Sequence, residues 1–212
     1  MTRYAPAESL SKDHDRSSFD CGSEAQTNWL RRYALLAQQA DTARVYVVRP
    51  HGERRVAGYY ALAAGSIEPD LGSPRLAAGA GRHPIPVVIL ARLGVDRRDQ
   101  RQGLGRQLVR DAFLQTAAVA ERIGARALLI HAETSEAAGF YRRLDPAFEP
   151  STADPLLLIV LLKDLRAAVH RAARQPTSEP DESAVSQGRR PTSRGNQVTP
   201  GPLGFPRRDD HP

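Results

Sequence analysis

The run from Val87 to Arg106 limits the fold more than any other stretch of the chain. Val87-Val88-Ile89-Leu90-Ala91-Arg92-Leu93-Gly94-Val95 is almost wholly apolar and reads as a strand. A charged turn follows, and Gln100-Arg101-Gln102-Gly103-Leu104-Gly105-Arg106 then opens a helix. Glycines without a Cβ let backbone N–H groups close around an oxyanion, and the positive end of the helix dipole points at it. Arg101 and Arg106 add cationic forks suited to phosphate oxygens. Two common nucleotide loops are excluded. No Lys-Ser/Thr pair follows the glycines, and the third glycine of a G-x-G-x-x-G fingerprint is missing.

Around this stretch, strands and helices alternate across residues 85 to 133, which predicts a βαβ unit inside a mixed sheet flanked by helices, an α/β class. Ser23 is placed to cap a first helix whose apolar face would be Trp29, Leu30, Tyr33 and Leu36. Arg44 to Val48 and Val56 to Ala64 read as strands, with His51-Gly52 as the turn between them. Residues 71 to 86 form a loop rich in Gly, Pro and Arg, expected near the active site because it precedes the glycine-linked strand. Leu104, Leu108, Ala112 and Phe113 recur at helical spacing, and Gly124 ends that helix. Ala127 to His131 is a buried strand, Thr134 or Ser135 caps a short helix carrying Phe140 and Tyr141, and Leu156 to Leu162 is a last, interior strand.

The division expected is a flexible N-terminus over 1–15, a folded domain over 16–168, and a disordered Pro/Ser/Arg-rich tail over 169–212. A single cysteine, Cys21, rules out an internal disulfide and a Cys-rich zinc site, and the scattered histidines suggest no metal. His131, alone at a strand end, reads as structural. The net charge of +6 calls for an acidic or phosphorylated partner. With no membrane-length apolar run and no signal-peptide pattern, the expected location is cytoplasmic, with no membrane partner.

Several stretches in order resemble the GNAT family (GCN5-related N-acetyltransferases), and in particular its branch of bacterial toxin–antitoxin modules. Q-x-x-G-x-G after a strand resembles the family's pyrophosphate motif. Phe19-x-Cys21-Gly22 with Trp29-Leu30, Val56-Ala57-Gly58-Tyr59-Tyr60-Ala61-Leu62, Ile85 to Asp96, His131-Ala132, Ala138-Gly139-Phe140-Tyr141 and Leu161-Leu162-Lys163-Asp164-Leu165 complete the likeness over roughly residues 16 to 168. The insertion of Leu144-Asp145-Pro146-Ala147-Phe148 after the Tyr141 helix departs from the family's Gly-Phe step.

The resemblance implies the GNAT acyl-CoA N-acyltransferase fold and acetyl-CoA as co-substrate. Leu93, Gly94 and Val95 would offer backbone groups to its pantetheine and acetyl carbonyl. Gln100, Arg101, Gln102, Gly103, Leu104, Gly105 and Arg106 would surround the diphosphate. Tyr141 would be the general acid that protonates the departing thiolate; a phenol of ordinary pKa, about 10, is able to donate at neutral pH. A cognate antitoxin, typically of the ribbon-helix-helix type, and a homodimer are implied as partners.

The acceptor follows from chemistry. Neither the strand at 56–64 nor the one at 87–95 carries a carboxylate base. A lysine amine of pKa about 10.4 is neutral to roughly 1 part in 2,500 at pH 7, whereas an α-amine near about 7.7–8.0 is about 10% neutral. An α-amine is therefore the better match, and aminoacyl-tRNA supplies one together with phosphate for a basic surface. Arg92, Arg75 and Arg82, with Arg31 and Arg32, are the candidates for holding it, and Tyr59 or Tyr60 for stacking on a terminal base or side chain. A GNAT enzyme for a small-molecule or protein amine, and a silent CoA-binding or antitoxin-binding module, stay open as alternatives.

Overall fold

The computed structural model describes residues 3–120, 122–145 and 147–174. The expected tail from 175 onward lies outside them. Seven strands form one sheet: β1 (Glu8–Ser9), β2 (Arg44–Val48), β3 (Gly58–Ile67), β4 (Ile85–Val95), β5 (Ala127–His131), β6 (Glu149–Pro150) and β7 (Leu157–Leu161), in the spatial order β1-β2-β3-β4-β5-β7-β6. All neighbours are antiparallel except β4 and β5. That single parallel pair requires a crossover, and α4 (Leu104–Ala120) supplies it.

Alternation along the strands assigns two opposed cores. On one face Leu90, Leu93, Leu128, Ile130, Leu158 and Val160 pack beneath α4, α5 (Ser135–Leu144) and α6 (Leu162–Arg174). On the other, α1 (Glu24–Asn28) and α2 (Ala34–Gln39) cover Val45, Val47, Tyr59 and Ala61. The segment containing α3 (Pro74–Ala77) covers Ile85, Val87, Leu129 and Ile159 with Leu76. Among the described residues no helix is long and apolar enough to cross a membrane.

Four expectations change. Within the expected flexible N-terminus of 1–15, Glu8–Ser9 pair with β2, and Leu10 is buried against the α1 core. Edge pairing of a polar segment is satisfied by backbone groups, which composition does not reveal. The first helix buries Leu30 and Ala34 but leaves Tyr33 and Leu36 55% and 61% exposed. A π-helical turn over Trp29–Tyr33 separates α1 from α2, and its wider winding shifts the phase of every later residue. The segment from 71 to 84 caps one face of the sheet at the beginning of β4 instead of standing beside its glycine-linked end. Finally, α6 continues to Arg174, past the expected domain limit of 168.

Candidate active site

β4 and β5 pair only at Val87–Ala127, Val88–Leu128 and Ile89–Leu129. Beyond Ile89 the edge of β4 that faces β5 has no strand partner among the described residues, so a wedge opens between Leu90–Val95 and Ile130–His131. The cause is local. Ala61 opposes Arg92 and Leu62 opposes Leu90, so Ala91 is an extra residue in β4. A bulge of this kind bends and twists its strand, and here it turns β4 away from β5. The backbone of Leu93, Gly94 and Val95 lines the open edge. Gly94 is required by packing as well, because a Cβ there would stand 2.8 Å from Tyr59 Cε1.

At the end of the wedge the chain turns through Arg101 and Gly103, both in the left-handed region with φ of 60° and 78°, and enters α4. The first-turn amides of a helix have no intrahelical acceptor, and alternating left-handed residues gather such amides into a concave nest for anions. Two buried carboxylates fasten this loop. Asp96 accepts from the Asp20 amide at 3.2 Å and from Arg98 Nε at 2.7 Å. Asp99, fully buried, accepts from Arg55 Nη1 at 2.5 Å and from the Tyr4 hydroxyl at 3.0 Å.

The side chains of Gln100 and Gln102 serve the same fastening. Gln100 Nε2 donates to the carbonyls of Cys21 and Val95 at 3.0 and 3.1 Å, and Gln102 Oε1 accepts from Tyr4 and Arg3. Arg101 and Arg106 are exposed beside the nest.

Gly105 tests whether the nest fits a diphosphate. A Cβ at this helical position would make ordinary contacts, 3.7 Å to Phe140 Cζ and 3.8 Å to Val95 Cγ2. The protein's own packing therefore does not need glycine, which in a helix costs about 1 kcal/mol relative to alanine. Glycine suits a position that a ligand is to approach closely. Gly105→Ala is expected to hold or raise the melting temperature while weakening acetyl-CoA binding about tenfold, a loss of about 1.4 kcal/mol. Calorimetry with unchanged affinity would place the diphosphate elsewhere.

Phe140 brings α5 against the start of α4, and the next residue is Tyr141. Thr134 caps this helix, accepting from the Ala137 amide at 3.2 Å. Tyr141 is 1% exposed and sits in the core with Leu93, Val95 and Leu104. Burial pushes its phenol above the usual range, so it stays protonated throughout neutral and mildly alkaline pH. Among the described residues no protein group hydrogen-bonds to its hydroxyl. The other buried tyrosines differ: Tyr59 donates to Gln26 at 2.8–2.9 Å, and Tyr60 to Asp111.

The polar side chains of Arg92 and His131 lie on the face of the sheet opposite α4 and α5. Arg92 lies over the Trp29 ring at 5.6 Å and donates to the Ala91 carbonyl at 3.1 Å. Burial holds its guanidinium below the usual range, partly opposed by Tyr59 and by Glu133 across the mouth. His131 ends β5 on this face, with Nε2 2.8 Å from Asp154 Oδ2.

Four substrate candidates from the sequence are not presented to a substrate beside Arg92. Tyr59 is fully buried and stacks on Trp29 at 5.9 Å, so Trp29 is the ring beside Arg92 and Tyr59 cannot receive a base. Tyr60 points the other way, stacked on Tyr46 beneath α4. Arg75 pairs with Glu149 and with Asp164 at 2.7 Å, which neutralises it at the corner of β6 and α6. Arg82 is exposed on the segment leading into the first residues of β4, the end remote from Arg92. Arg31 and Arg32 are exposed on the π turn beside Trp29. Sequence reasoning missed Arg55, Asp99, Glu133 and Asp154. Their only signal was charge in short turns, common to any solvated loop.

A sheet parted beside an amide nest, with a helix-borne tyrosine at the parting, is the architecture of the GNAT fold. The family model described as the acetyltransferase (GNAT) domain matches residues 41–145. A tRNA-acetylating toxin of Mycobacterium tuberculosis (strain ATCC 25618 / H37Rv) is 39% identical over 169 residues, covering 80% of this chain and 99% of the relative. AtaT complexed with acetyl-methionyl-tRNAfMet is similar with a TM-score of 0.70 and 28% identity, over 78% of this chain and 98% of that one. A Tyr-to-Phe mutant of AtaT, bound to the C-terminus of the antitoxin AtaR and acetyl-CoA, is similar with a TM-score of 0.66 and 27% identity, over 79% and 98%. The chain therefore belongs to the GNAT acetyltransferases, in their branch of toxin–antitoxin toxins.

Proposed function

We propose that the protein transfers an acetyl group from acetyl-CoA to the α-amine of an aminoacyl-tRNA, which blocks translation until an antitoxin binds. The observation that carries this reading is Tyr141: a buried phenol without a protein hydrogen-bond partner among the described residues, beside the open edge of β4. The nest from Arg101 to Arg106 would hold the diphosphate, and the free edge of Leu93–Val95 would orient the pantetheine along the wedge. The co-substrate supplies a thioester carbonyl open to attack by an amine. As the C–S bond breaks, Tyr141 Oη gives its proton to the departing thiolate and regains one from solvent.

Arg92 and Trp29, with Arg31 and Arg32 nearby, would receive the acceptor from the opposite side of the sheet, through charge and stacking. The names of the similar proteins support the acceptor class and an antitoxin partner. A ribbon-helix-helix antitoxin, a homodimer and a cytoplasmic location complete the proposal. The unit responsible would run from the N-terminal strand through α6.

The deciding experiment offers radiolabelled acetyl-CoA and a mixture of charged tRNAs to the purified protein, followed by identification of the labelled amino acid. Label on the amino acid esterified to tRNA is expected. Label on free amines or peptides but not on charged tRNA would favour the small-molecule or protein-amine reading.

A further inference from the structure

Acyl transfer to an amine needs a proton acceptor as well as the donor at Tyr141, and β3 and β4 supply none. Neither strand carries a carboxylate or an imidazole. β5 does. His131 follows Ala127 and Leu129 on the face opposite Tyr141, so its ring lies on the acceptor side of the wedge, past the point where β5 parts from β4. It is half-exposed and held in orientation. Asp154 Oδ2 lies 2.8 Å from Nε2, and Asp154 is itself set by the Leu156 amide, which donates to Oδ1 at 2.8 Å. Against a burial that raises it, these hydrogen bonds keep the Asp154 carboxyl below the usual range, hence ionised and able to stabilise an imidazolium.

Of the charged groups near this end of β5, Glu133, two residues on, and Arg92 interact with each other, and Arg142 donates to the Pro155 carbonyl beside Asp154 at 3.1 Å. We infer that His131, held by Asp154, is the base that takes the proton from the acceptor amine. The inference rests on the acetyltransferase reading above. The amine lone pair forms the N–C bond, the C–S bond breaks, and the thiolate takes its proton from Tyr141. The proton released by nitrogen passes to the imidazole, directly or through one water, and then to solvent. Asp154 is a positioning residue. Histidine is the residue type whose charge changes between about pH 5 and 8, which suits an α-amine that is mostly protonated at neutrality.

The test measures acetyl transfer by the full chain from about pH 5.5 to 9, with aminoacyl-tRNA and with a small amino-acid ester as acceptors. His131→Gln should lower kcat/KM about 100-fold near pH 7, with a deficit that shrinks as rising pH deprotonates the amine unaided. Acetyl-CoA affinity and melting temperature should be unchanged. Asp154→Asn should fall between the two, and Glu136→Gln, on the exposed first turn of α5, should stay within about threefold of wild type. Wild-type turnover by His131→Gln, a deficit of equal size at every pH, or the same loss in Glu136→Gln would overturn the assignment. Wild-type transfer to the ester but not to charged tRNA would instead sink the acceptor reading, and the His131 comparison would still be read on the ester.

Discussion

Tyr141→Phe is expected to bind acetyl-CoA within about twofold of wild type and to lose 100- to 1,000-fold in kcat, the range of about 10²–10⁴ found for positioned general acids. The substitution removes one oxygen. Tyr141 is packed against Phe140 and Phe148 at centroid distances of 5.3 and 6.2 Å, and the ring of Phe fills the same volume. No protein hydrogen bond to the phenol is known to be lost among the described residues, so stability should not fall. Burial even favours the change slightly, since a buried hydroxyl carries a desolvation cost of about 1–3 kcal/mol. A general acid and a packing residue thus give opposite outcomes. Full turnover in Tyr141→Phe would return this residue to the hydrophobic core, and the thiolate would then need another donor. Calorimetry and acetyl transfer on the same preparation separate binding from chemistry.

Asp99→Ala is expected to destabilise the fold by about 3 kcal/mol, because it removes the buried counter-charge of the Arg55 guanidinium and leaves it only the half-exposed Glu53 at 2.6 Å. For a domain of this size the melting temperature should drop by roughly 10 °C, at about 2–4 °C per kcal/mol. Asp99 is fully buried and Arg55 only 18% exposed in its side chain, so the pair is poorly screened by solvent. Arg3 contributes little at 3.7 Å and 57% exposure. Because Asp99 sits one residue before the loop that forms the nest, the loss should also appear as weaker acetyl-CoA binding in whatever fraction remains folded. Arg55→Ala combined with Asp99→Ala should cost less than the sum of the two, since each removes the other's partner. An Asp99→Ala protein within about 1 kcal/mol of wild type would show that the loop is held by Asp96 and the glutamines instead.

Much of the local structure was legible beforehand. Arg44–Val48 and Ala127–His131 were read to the residue, Ser23 caps its helix, Thr134, one of two candidates, caps another, and the helix opened by the glycine turn begins at Leu104. Each depends on neighbours in sequence: apolar period, a capping side chain, a glycine that tolerates positive φ. The mixed sheet followed from the order of elements, because a single parallel pair needs the helical crossover visible between residues 104 and 120.

Less of the acceptor side was legible. Tyr59 and Tyr60 are adjacent and chemically identical, and only the pairing of β3 with β2 and β4 decides which face each takes. Arg75 looked like a free cation until folding brought Glu149 and Asp164 to it across 74 and 89 residues of chain. Tyr33 and Leu36 looked like core until the π turn rotated them outward.

What the sequence determined by itself is the strand, the glycine turn, the helix start and the tyrosine on α5, because each is written in residues a few positions apart. Tertiary structure alone decided that Ala91 bulges, that the two parallel strands part at Ile89, and that Asp99 and Arg55 meet behind the loop. It also decided that His131 finds Asp154 on the far face. Those outcomes depend on register and long-range pairing, where a shift of one residue reverses every side chain, and no local pattern specifies that choice.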